Sequence, residues 1–593
     1  FQLYFSTNHQ LQITNLHAPF SLAYLPIPSY LDRMLRLLLV LMIATGLSAN
    51  AQEVYVHVSN TDLYTYIDEL ANAGISELNS AVKPYSRTFI ASVLSEADRR
   101  RSELNARQQQ ELDFYLRDFR KELQAYRNPN ETRNGHDREM NLAGKRLGNY
   151  QGRETRLDLF YYQDSLFTFT VNPILGGELF SNDSGSFRKI WNGGEAWGYI
   201  GPHTGFYFSL RDNRESRRLS DPLYLNLYPA SNYKPDSDGG GDFDEVRGGF
   251  MMSWKWGSVG LLKDNPVWGD NYHGANILSD HVPSYAHIRL HMKPTRWFDF
   301  NYLHGWLVSD AIDSARIYPQ GISNRIVYRQ KFVAANLFTF TPWKRFNFSF
   351  GNSIVYGDQP VHPVMLIPFL FYKSVDHWLT STGSNFLGQN SQLFFNISSR
   401  NIRNLHLYSS LFIDELSLSN ALDEDKSSNI FSAKIGARMS NFLVKNLFLT
   451  GEYTRSNPIT YRHYIPTASF SSNSFNMGHY LGDNAQEIYL AAAYKPVARL
   501  WVEVSWSIAQ KGQEYPYDGR SSGFNGKGLP FIDRVFWQAE EIGLQARYQF
   551  INDGWVFARF LSSDHHGAMV DTYTMPLFRG ELTTVSFGAN FGF

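Results

Sequence analysis

The chain ends with the sequence TTVSFGANFGF, residues 583–593. Apolar side chains alternate here with small or polar ones, and the apolar positions are Val585, Phe587, Ala589, Phe591 and Phe593. Because successive side chains of a strand point to opposite faces, this stretch predicts a strand with one apolar face. The barrel-insertion machinery also recognises an amphipathic last strand that ends in an aromatic residue. The C-terminus therefore predicts the final strand of a membrane β-barrel.

The same alternation recurs from about Arg153 onward. In residues 286–292, for example, apolar residues alternate with His287, Arg289 and His291. Short turns interrupt the pattern, and the stretches between them are long and polar. The predicted turns lie near Trp256-Gly257, Lys293–Trp297, Thr341–Arg345, Arg403-Asn404, Lys445-Asn446, Lys495–Arg499 and Asn552–Gly554. Short turns on one side and long loops on the other predict a large antiparallel transmembrane β-barrel of about 18 strands.

The composition supports a barrel and excludes several other classes. Aromatic residues make up 16% of the 593 residues, although the mean hydropathy is only −0.34. Strands that are apolar on one face, with aromatic girdles, explain both values. The net charge of −1 argues against nucleic acid as a partner. Cysteine is absent from the sequence, which excludes disulfides, thiolate metal sites and a cysteine nucleophile.

A secretory signal peptide is predicted near the N-terminus. From Met34 the sequence reads MLRLLLVLMIATGLSANAQEV, with a positive residue, a short apolar run and a small-x-small cleavage site. The apolar run is too short to span a bilayer, which takes about 20 residues. We therefore predict that residues 1–33 are upstream translation, that residues 34–51 are the signal peptide, and that the mature chain begins at Gln52.

The next part of the sequence has helical rather than alternating periodicity. Apolar residues recur there at spacings of three and four, and polar residues able to cap a helix precede them. The first predicted helix is capped by Thr61 or Asn60, the second spans Arg87–Arg101, and the third opens at Asn105 or Ser102. The predicted organisation is a periplasmic helical bundle over 52–127, a polar linker over 128–152, and an outer-membrane barrel with long extracellular loops over 153–593.

Enzyme motifs are weak in this sequence. The run Asp564-His565-His566 contains two potential metal ligands, but neighbouring residues of a strand point to opposite faces. Asp376-His377 lacks an assignable nucleophile. The acidic stretch from Asp236 to Asp244 lacks the order of a calcium loop and favours a solvated loop. The sequence therefore predicts no catalytic residue, no cofactor and no metal site.

The predicted long loops are rich in aromatic residues and arginine. Aromatic rings stack on sugar rings, while arginine hydrogen-bonds to hydroxyls and uronate carboxylates. Packing within the interface girdle is the alternative explanation for any one of these residues. The candidate glycan-binding residues are Trp191, Trp197, Arg217, Arg218, Tyr224, Trp268, Tyr272, Tyr461 and Arg462.

Four stretches resemble one known family, the Wzi-type capsule-assembly outer-membrane proteins. Residues 267–279 with Pro283 are similar to its W-G…G…L-I-L-S…P stretch, and Gly351–Gly357 is similar to its G-x-S-x-I-Y-G strand. His479–Ala485 resembles its H-x-L-G-x-D-A element, and Lys83–Arg87 resembles the opening of its Bacteroidetes variants. The family's W-W-G-P is Val267-Trp268-Gly269-Asp270 here, and the N-N-A that follows is Asp280-His281-Val282. If these positions shape a ligand groove, a different ligand is expected.

The resemblance implies a barrel whose lumen is closed by loops and a lectin-like role at the surface of a Gram-negative, Bacteroidetes-like cell. The protein would then assemble or attach capsular or other surface polysaccharide, and would contact outer-membrane lipid and periplasmic export components. Two alternatives stay open at this point. One is a porin-like channel for small solutes, and the other is a barrel enzyme that acts on lipid or lipopolysaccharide.

Overall fold

The computed structural model describes residues 52–127, 139–142, 156–164, 166–381, 388–415, 429–441, 444–515 and 528–592. The predicted signal peptide and the residues before it lie outside these ranges, as does most of the predicted linker. Within the described residues, no helix has the length and apolar character needed to cross a bilayer.

Eighteen antiparallel strands form a closed barrel, which confirms the predicted fold class and strand number. The strands are β1 Phe167–Asn182, β2 Gly185–Ile200, β3 Thr204–Glu215, β4 Gly241–Trp254, β5 Gly257–Asp264, β6 Tyr285–Met292, β7 Phe298–Leu307, β8 Lys331–Trp343, β9 Phe346–Gly357, β10 Gln389–Ser399, β11 Leu405–Glu415, β12 Ile430–Ser440, β13 Leu447–Ser456, β14 Ala485–Tyr494, β15 Leu500–Lys511, β16 Trp537–Ile551, β17 Gly554–His566 and β18 Gly580–Phe591.

The barrel closes where the last strand pairs with the first. The register of β18 on β1 runs from Val585 opposite Ser181 to Phe591 opposite Leu175, which is seven residue pairs. By comparison, β1 and β2 share 16 pairs. The closing seam is therefore less than half as long as the pairing of β1 with β2.

The connections between strands differ sharply at the two ends of the barrel. Tight connections occupy one end, which we call the short-turn rim, and the predicted turns all fall there. Its described residues are 201–203, 255–256, 293–297, 344–345, 400–404, 441, 444–446, 495–499 and 552–553. Most of the connections at the opposite end, the long-loop rim, are much longer.

The two faces of the wall differ in polarity, as the alternation predicts. Inward-facing side chains include buried charged residues such as Glu178, Lys434 and Glu487. Outward-facing side chains are apolar and exposed, as at Leu179 and Ile435. This pattern suits a wall between lipid and a polar interior.

Four helices precede the barrel: α1 Thr61–Asn72, α2 Arg87–Arg99, α3 Ala106–Asp118 and α4 Arg120–Arg127. The side chains of Asn60, Ser86 and Asn105 cap the first three by accepting hydrogen bonds from backbone N–H groups. The helices bury a common apolar core that includes Leu63, Ile67, Leu94, Leu112 and Phe119. We call this unit the helical bundle.

The third predicted helix is broken at Phe119 into α3 and α4, which the sequence did not predict. At the break, the backbone carbonyl of Asp118 accepts a hydrogen bond from Arg87 of α2 at 3.0 Å. The Arg87 guanidinium also lies 4.3 Å from the centre of the Phe119 ring. Contacts with α2 therefore fix the direction in which the chain leaves α3.

Part of the predicted linker is a strand. Residues Glu139–Leu142 pair with Phe160–Gln163, which in turn pair with residues 168–171 of β1. This short hairpin extends the wall next to the seam. It pairs with the same edge of β1 as β18 does, but with residues nearer the start of β1.

Candidate functional site

The helical bundle is fixed to the short-turn rim by buried ion pairs. Asp68 of α1 lies 2.8 Å from Arg400, and Glu111 of α3 lies 3.1 Å from Lys495. Both pairs are almost fully shielded from solvent, so they are little screened by salt. Removal of one partner from such a pair typically costs about 3–5 kcal/mol, because a buried charge is left alone. The bundle is therefore a firmly attached floor of the barrel.

A long loop, residues 265–284, folds from the long-loop rim into the lumen, and we call it the inward loop. Val267 and Trp268 pair as a strand with Lys83 and Val82 of the bundle segment. Further along, the Asp270 carboxylate accepts a hydrogen bond from Asn396 of the wall at 2.7 Å. The loop therefore connects the floor of the barrel to its wall.

The middle of the inward loop carries two residues with buried polar contacts. The Tyr272 hydroxyl donates to Asp68 at 2.7 Å. His273 lies 3.1 Å from the Glu487 carboxylate. Its ring also stacks on Tyr489, with 3.8 Å between ring centres. The loop is thus held at this point by both the floor and the wall.

Charge determines the protonation of His273. Burial lowers the pKa of this imidazole, but Glu487 and then Glu452 outweigh that effect and raise the pKa above the ordinary 6.5. Lys434 opposes the two carboxylates, and it also donates to the His273 backbone carbonyl at 2.8 Å. The imidazolium is therefore the form that the docked loop favours.

The bundle and the inward loop leave two large cavities in the barrel. The bundle-side cavity has a volume of about 430 Å³ and is lined by Asp68, Lys83, Tyr272, Arg400, Arg438 and Arg547, among others. The loop-side cavity has a volume of about 530 Å³ and is lined by Trp191, Arg211, Tyr228, Glu541, Arg559 and His565, among others. Volumes of this size accommodate small ligands or a few sugar rings.

The loop-side cavity combines aromatic surfaces with charged groups. The Arg211 guanidinium lies 4.5 Å from the Trp191 ring centre, and Trp191 Nε1 donates to Asn590 at 2.9 Å. Among the described residues, Arg211 Nε has no hydrogen-bond partner although it is buried. An unsatisfied buried donor costs about 1–3 kcal/mol, so an acceptor on a bound molecule would relieve a real penalty.

An ion pair and a hydrogen bond complete the lining of the loop-side cavity. Arg559 contacts Glu178 at 3.0 Å, and His565 contacts Glu541 at 3.0 Å. Carboxylates accept hydrogen bonds from sugar hydroxyls, and guanidinium groups donate to sugar acids. The chemistry of this cavity is thus suited to a polar, ring-containing ligand.

The structure corrects the predicted positions of Trp191 and Trp197. Both were predicted in a long loop, but both lie on β2 and face inward. The glycines between them suggest a loop, yet they mark close backbone contact instead. A side chain at Gly193 would lie 1.9 Å from the carbonyl oxygen of Leu210 on β3.

The two tryptophans do not share a site. Trp191 lines the loop-side cavity. Trp197 faces the helical bundle, with Arg156 at 5.0 Å and Arg87 at 5.2 Å from its ring centre. Cation–π contacts of this kind hold the bundle to the wall.

Three predicted residues lie in the loop between β3 and β4, as expected. Arg217 and Arg218 are exposed, and Arg217 donates to the Asp238 carbonyl. Tyr224 is half-buried against a cluster that includes Leu219 and Phe578, which also line the loop-side cavity. This loop thus forms part of the lid of that cavity.

The structure also corrects the predicted positions of Trp268 and Tyr272, which the sequence places in an outer loop. Both belong to the inward loop. Trp268 is buried beside Phe394 of the wall, whereas Tyr272 lines the bundle-side cavity. An 18-stranded barrel leaves a wide lumen, and filling it buries apolar surface that would otherwise face water.

Tyr461 and Arg462 lie in the loop between β13 and β14. The buried Tyr461 hydroxyl donates to the Asn276 carbonyl of the inward loop at 2.8 Å. Arg462 forms ion pairs with Asp483 and Glu514, each at 3.0 Å. Both side chains hold loops together and line neither of the two large cavities.

The charged lining of the loop-side cavity was missed by the sequence analysis. Arg211, Glu541 and Arg559 are wall residues rather than loop residues. Their signal in the sequence is charge at the inward positions of an alternating strand. The adjacent histidines at 565 and 566 do not by themselves single out His565, which faces inward while His566 is exposed. In the described parts of the chain, no group of three or more acidic or histidine residues is placed to hold a metal ion.

The fold resembles that of solved outer-membrane barrels. Wzi of Escherichia coli, an outer-membrane protein involved in group 1 capsule assembly and a carbohydrate-binding β-barrel, aligns with a TM-score of 0.53 and 10% identity. The alignment covers 92% of this chain and 100% of Wzi. OccD3 of Pseudomonas aeruginosa aligns with a TM-score of 0.40 and 10% identity over 71% of this chain and 90% of its own.

Sequence comparison adds no family assignment. No protein-family model matches the chain, and no curated protein matches it. At 10% identity, the likeness to Wzi shows a shared fold. The resemblance seen in the sequence is therefore supported at the level of the barrel, and its Bacteroidetes variant stays a prediction.

Proposed function

We propose that this protein lies in the outer membrane of a Gram-negative cell and assembles or attaches capsular or related surface polysaccharide there. The short-turn rim and the helical bundle would face the periplasm, and the long-loop rim would face outward. The bundle would then be the surface available to periplasmic export components. The carbohydrate-binding role described for Wzi, whose fold this barrel shares, supports the proposal.

One observation carries the proposal: Arg211 and Trp191 form an aromatic and cationic pair in the loop-side cavity. Trp191 lines the cavity and holds the Arg211 guanidinium over its ring, and Arg211 offers a buried Nε without a partner among the described residues. Among the nine candidate residues from the sequence, Trp191 is therefore the one that we propose as a direct sugar contact. We propose Arg211 and Tyr228 as further sugar contacts in the same cavity.

A wide solute channel is the alternative function. The inward loop pairs with the bundle across the lumen, through Trp268 with Val82 and Val267 with Lys83. This arrangement supports a binding role over free passage of solutes. We also propose binding rather than catalysis, because Arg559 is held in an ion pair with Glu178 and His565 is hydrogen-bonded to Glu541, contacts that suit recognition.

The test is a gene deletion followed by measurement of polysaccharide in two fractions, one attached to cells and one shed into the medium. We expect the deletion to move polymer into the medium, and the intact gene to restore attachment. Complementation with Trp191→Ala should restore attachment only in part. Trp343→Ala is the matched control, because Trp343 is exposed near the short-turn rim. If deletion leaves both fractions unchanged, the proposed function is wrong and conductance measurements would test the channel.

A further inference from the structure

Residues 363–381 of the connection between β9 and β10 lie against the outside of the barrel. Residues 363–371 read PVMLIPFLF and contain no charged or polar side chain. The helix Tyr372–Ser381, α5, follows directly. We call residues 363–381 the outer-wall segment. Such a long apolar run is unusual for a loop that extends into water.

Two asparagines on the outer face of the wall anchor the outer-wall segment. Asn336 of β8 donates from Nδ2 to the backbone carbonyls of Pro368 and Leu370, each at 2.9 Å. Asn352 of β9 donates to Asn336 Oδ1 at 2.8 Å and accepts from the Tyr372 backbone N–H at 2.7 Å. Both amides are thereby satisfied.

These amides would be costly without the outer-wall segment. They are fully or almost fully buried, yet they stand on the face of the wall that carries apolar side chains elsewhere. An unsatisfied polar group in hydrocarbon costs several kcal/mol. The asparagines and the backbone of residues 368–372 are therefore one hydrogen-bonded unit, and the segment is a fixed part of the wall.

Aromatic packing places the segment at a defined height on the wall. Phe369 stacks on Phe300 of β7, with 4.4 Å between ring centres. Phe300 is paired with Phe338, Phe338 with Phe350, and Phe350 with Phe395. This row of outward-facing rings crosses four neighbouring strands, and Phe369 lies against it.

The row lies well below the long-loop rim. Gly357, at the end of β9, lies seven residue steps beyond Phe350. At about 3.3 Å per residue and a tilt of about 40°, that distance is roughly 18 Å of barrel height. The apolar band of an outer-membrane barrel is about 25 Å tall. Phe369 is thus at the level of the lipid-facing band.

The other side of the segment is apolar and exposed. Phe369 is 54% exposed, and Leu366, Ile367 and Phe371 are similarly exposed. The neighbouring wall residue Phe350, which is 39% exposed, continues the same apolar surface. The exposed face of the segment is therefore continuous with the surface that the barrel offers to lipid.

We infer that residues 363–371 of the outer-wall segment are inserted into the membrane and that their exposed side chains bind the acyl chains of outer-membrane lipid. Acyl chains fit because residues 363–371 offer no hydrogen-bonding side chain to a polar partner. The inference rests on the proposed membrane location and is independent of the proposed role in polysaccharide attachment.

The absence of cysteine from the sequence makes a direct test possible. Phe369→Cys can be labelled at a single site with an environment-sensitive fluorophore, and the full chain can be placed in phosphatidylcholine vesicles with brominated acyl chains. Leu179→Cys on the wall is the lipid-facing control, and Ile322→Cys, fully exposed in another loop, is the aqueous control. Ile367→Cys is a second probe should Phe369→Cys fail to fold.

We expect brominated lipid to quench the probe at residue 369 as strongly as the probe at 179, and several-fold more than the probe at 322. Quenching at 369 by aqueous iodide instead would overturn the inference. Shielding from both quenchers, together with cysteine-dependent dimers, would assign the surface to a protein partner and would also overturn it. If the probe at 179 is not quenched by lipid, the membrane location fails, and the inference fails with it.

Discussion

The carboxylate of Asp68 in α1 and the guanidinium of Arg400 on the short-turn rim are 2.8 Å apart, and both are buried. Arg400 also donates from Nε to Asn72 at 2.8 Å. The residues are more than three hundred positions apart in the chain, so this pair joins the floor of the barrel to its wall. Because the pair is charged, its contribution to the attachment of the bundle can be tested by substitution and by a change of pH.

Asp68→Ala should loosen the floor. The change leaves Arg400 buried without its carboxylate, which we expect to cost about 3–5 kcal/mol. The measurement is the temperature at which the barrel loses its heat-modifiable mobility on a gel, together with protease cleavage of the bundle. Glu96→Ala is the control, because its pair with Arg99 is exposed and should contribute little. Equal effects of the two substitutions would contradict this account.

Acid should weaken the same attachment. Burial raises the pKa of Asp68, but Arg400 and its neighbours outweigh burial and hold the pKa well below the ordinary 3.8. A lowered pKa means that the attachment is at full strength above about pH 4 and is lost as pH falls toward the lowered pKa. Protease cleavage of the bundle should therefore rise only below pH 4. A midpoint near neutral pH would show that another group controls attachment.

Alkaline pH should weaken docking of the inward loop. The pKa of docked His273 lies above 6.5, so its contribution is complete below pH 6.5 and is lost as pH rises through the docked pKa. Hydrogen exchange of residues 265–284, corrected for the intrinsic rate, should be slower at pH 6 than at pH 9. His273→Gln should remove most of this difference. A variant that keeps the full pH dependence would refute the role of His273.

Trp191→Ala should weaken binding of oligosaccharides derived from the cell's own surface polymer. Loss of the ring that positions Arg211 should cost about 1.4 kcal/mol, which is a tenfold change in the dissociation constant. Trp191→Phe should retain part of the affinity because a ring remains. Isothermal titration or tryptophan quenching would measure the change, with Trp343→Ala as the unaffected control. Unchanged affinity in Trp191→Ala would remove the loop-side cavity from consideration.

Deletion of residues 268–278 should open the barrel. This part of the inward loop crosses the lumen, so its removal joins the spaces on either side of it. We expect single-channel conductance in planar bilayers to rise several-fold over that of the intact protein. Deletion of the exposed hairpin at residues 318–325 should leave conductance unchanged. An intact protein that already conducts as a wide pore would favour the channel alternative.

The wall of this protein was predictable because its signals are local. Alternation and short turns each depend on a few neighbouring residues, and they gave the barrel and its strand number. The helices were also local, apart from the break at Phe119. That break depends on Arg87, which is distant in the sequence from Phe119 and belongs to another helix.

The candidate site was predicted only in part, because its contacts join distant residues. Nothing near Trp268 in the sequence indicates that it pairs with Val82 inside the lumen. Glycine is common in loops, but it also occurs where two strands come into close contact. Gly193 is of the second kind, so the sequence wrongly indicated a loop around Trp191. The apolar run at 363–371 is neither alternating nor long enough to span a bilayer, so no sequence pattern described its position.

The helical bundle also bears on how the circle of strands stays closed. On one side of the seam, Lys121 of α4 donates to Thr170 of β1 at 3.0 Å. On the other side, Tyr115 of α3 donates to Gln549 of β16 at 3.1 Å. The bundle therefore spans the junction at which β18 meets β1 through only seven residue pairs. Lateral opening of the barrel at this junction would break the bundle's contacts as well as the seam, so the floor of the barrel also resists the separation of its first and last strands.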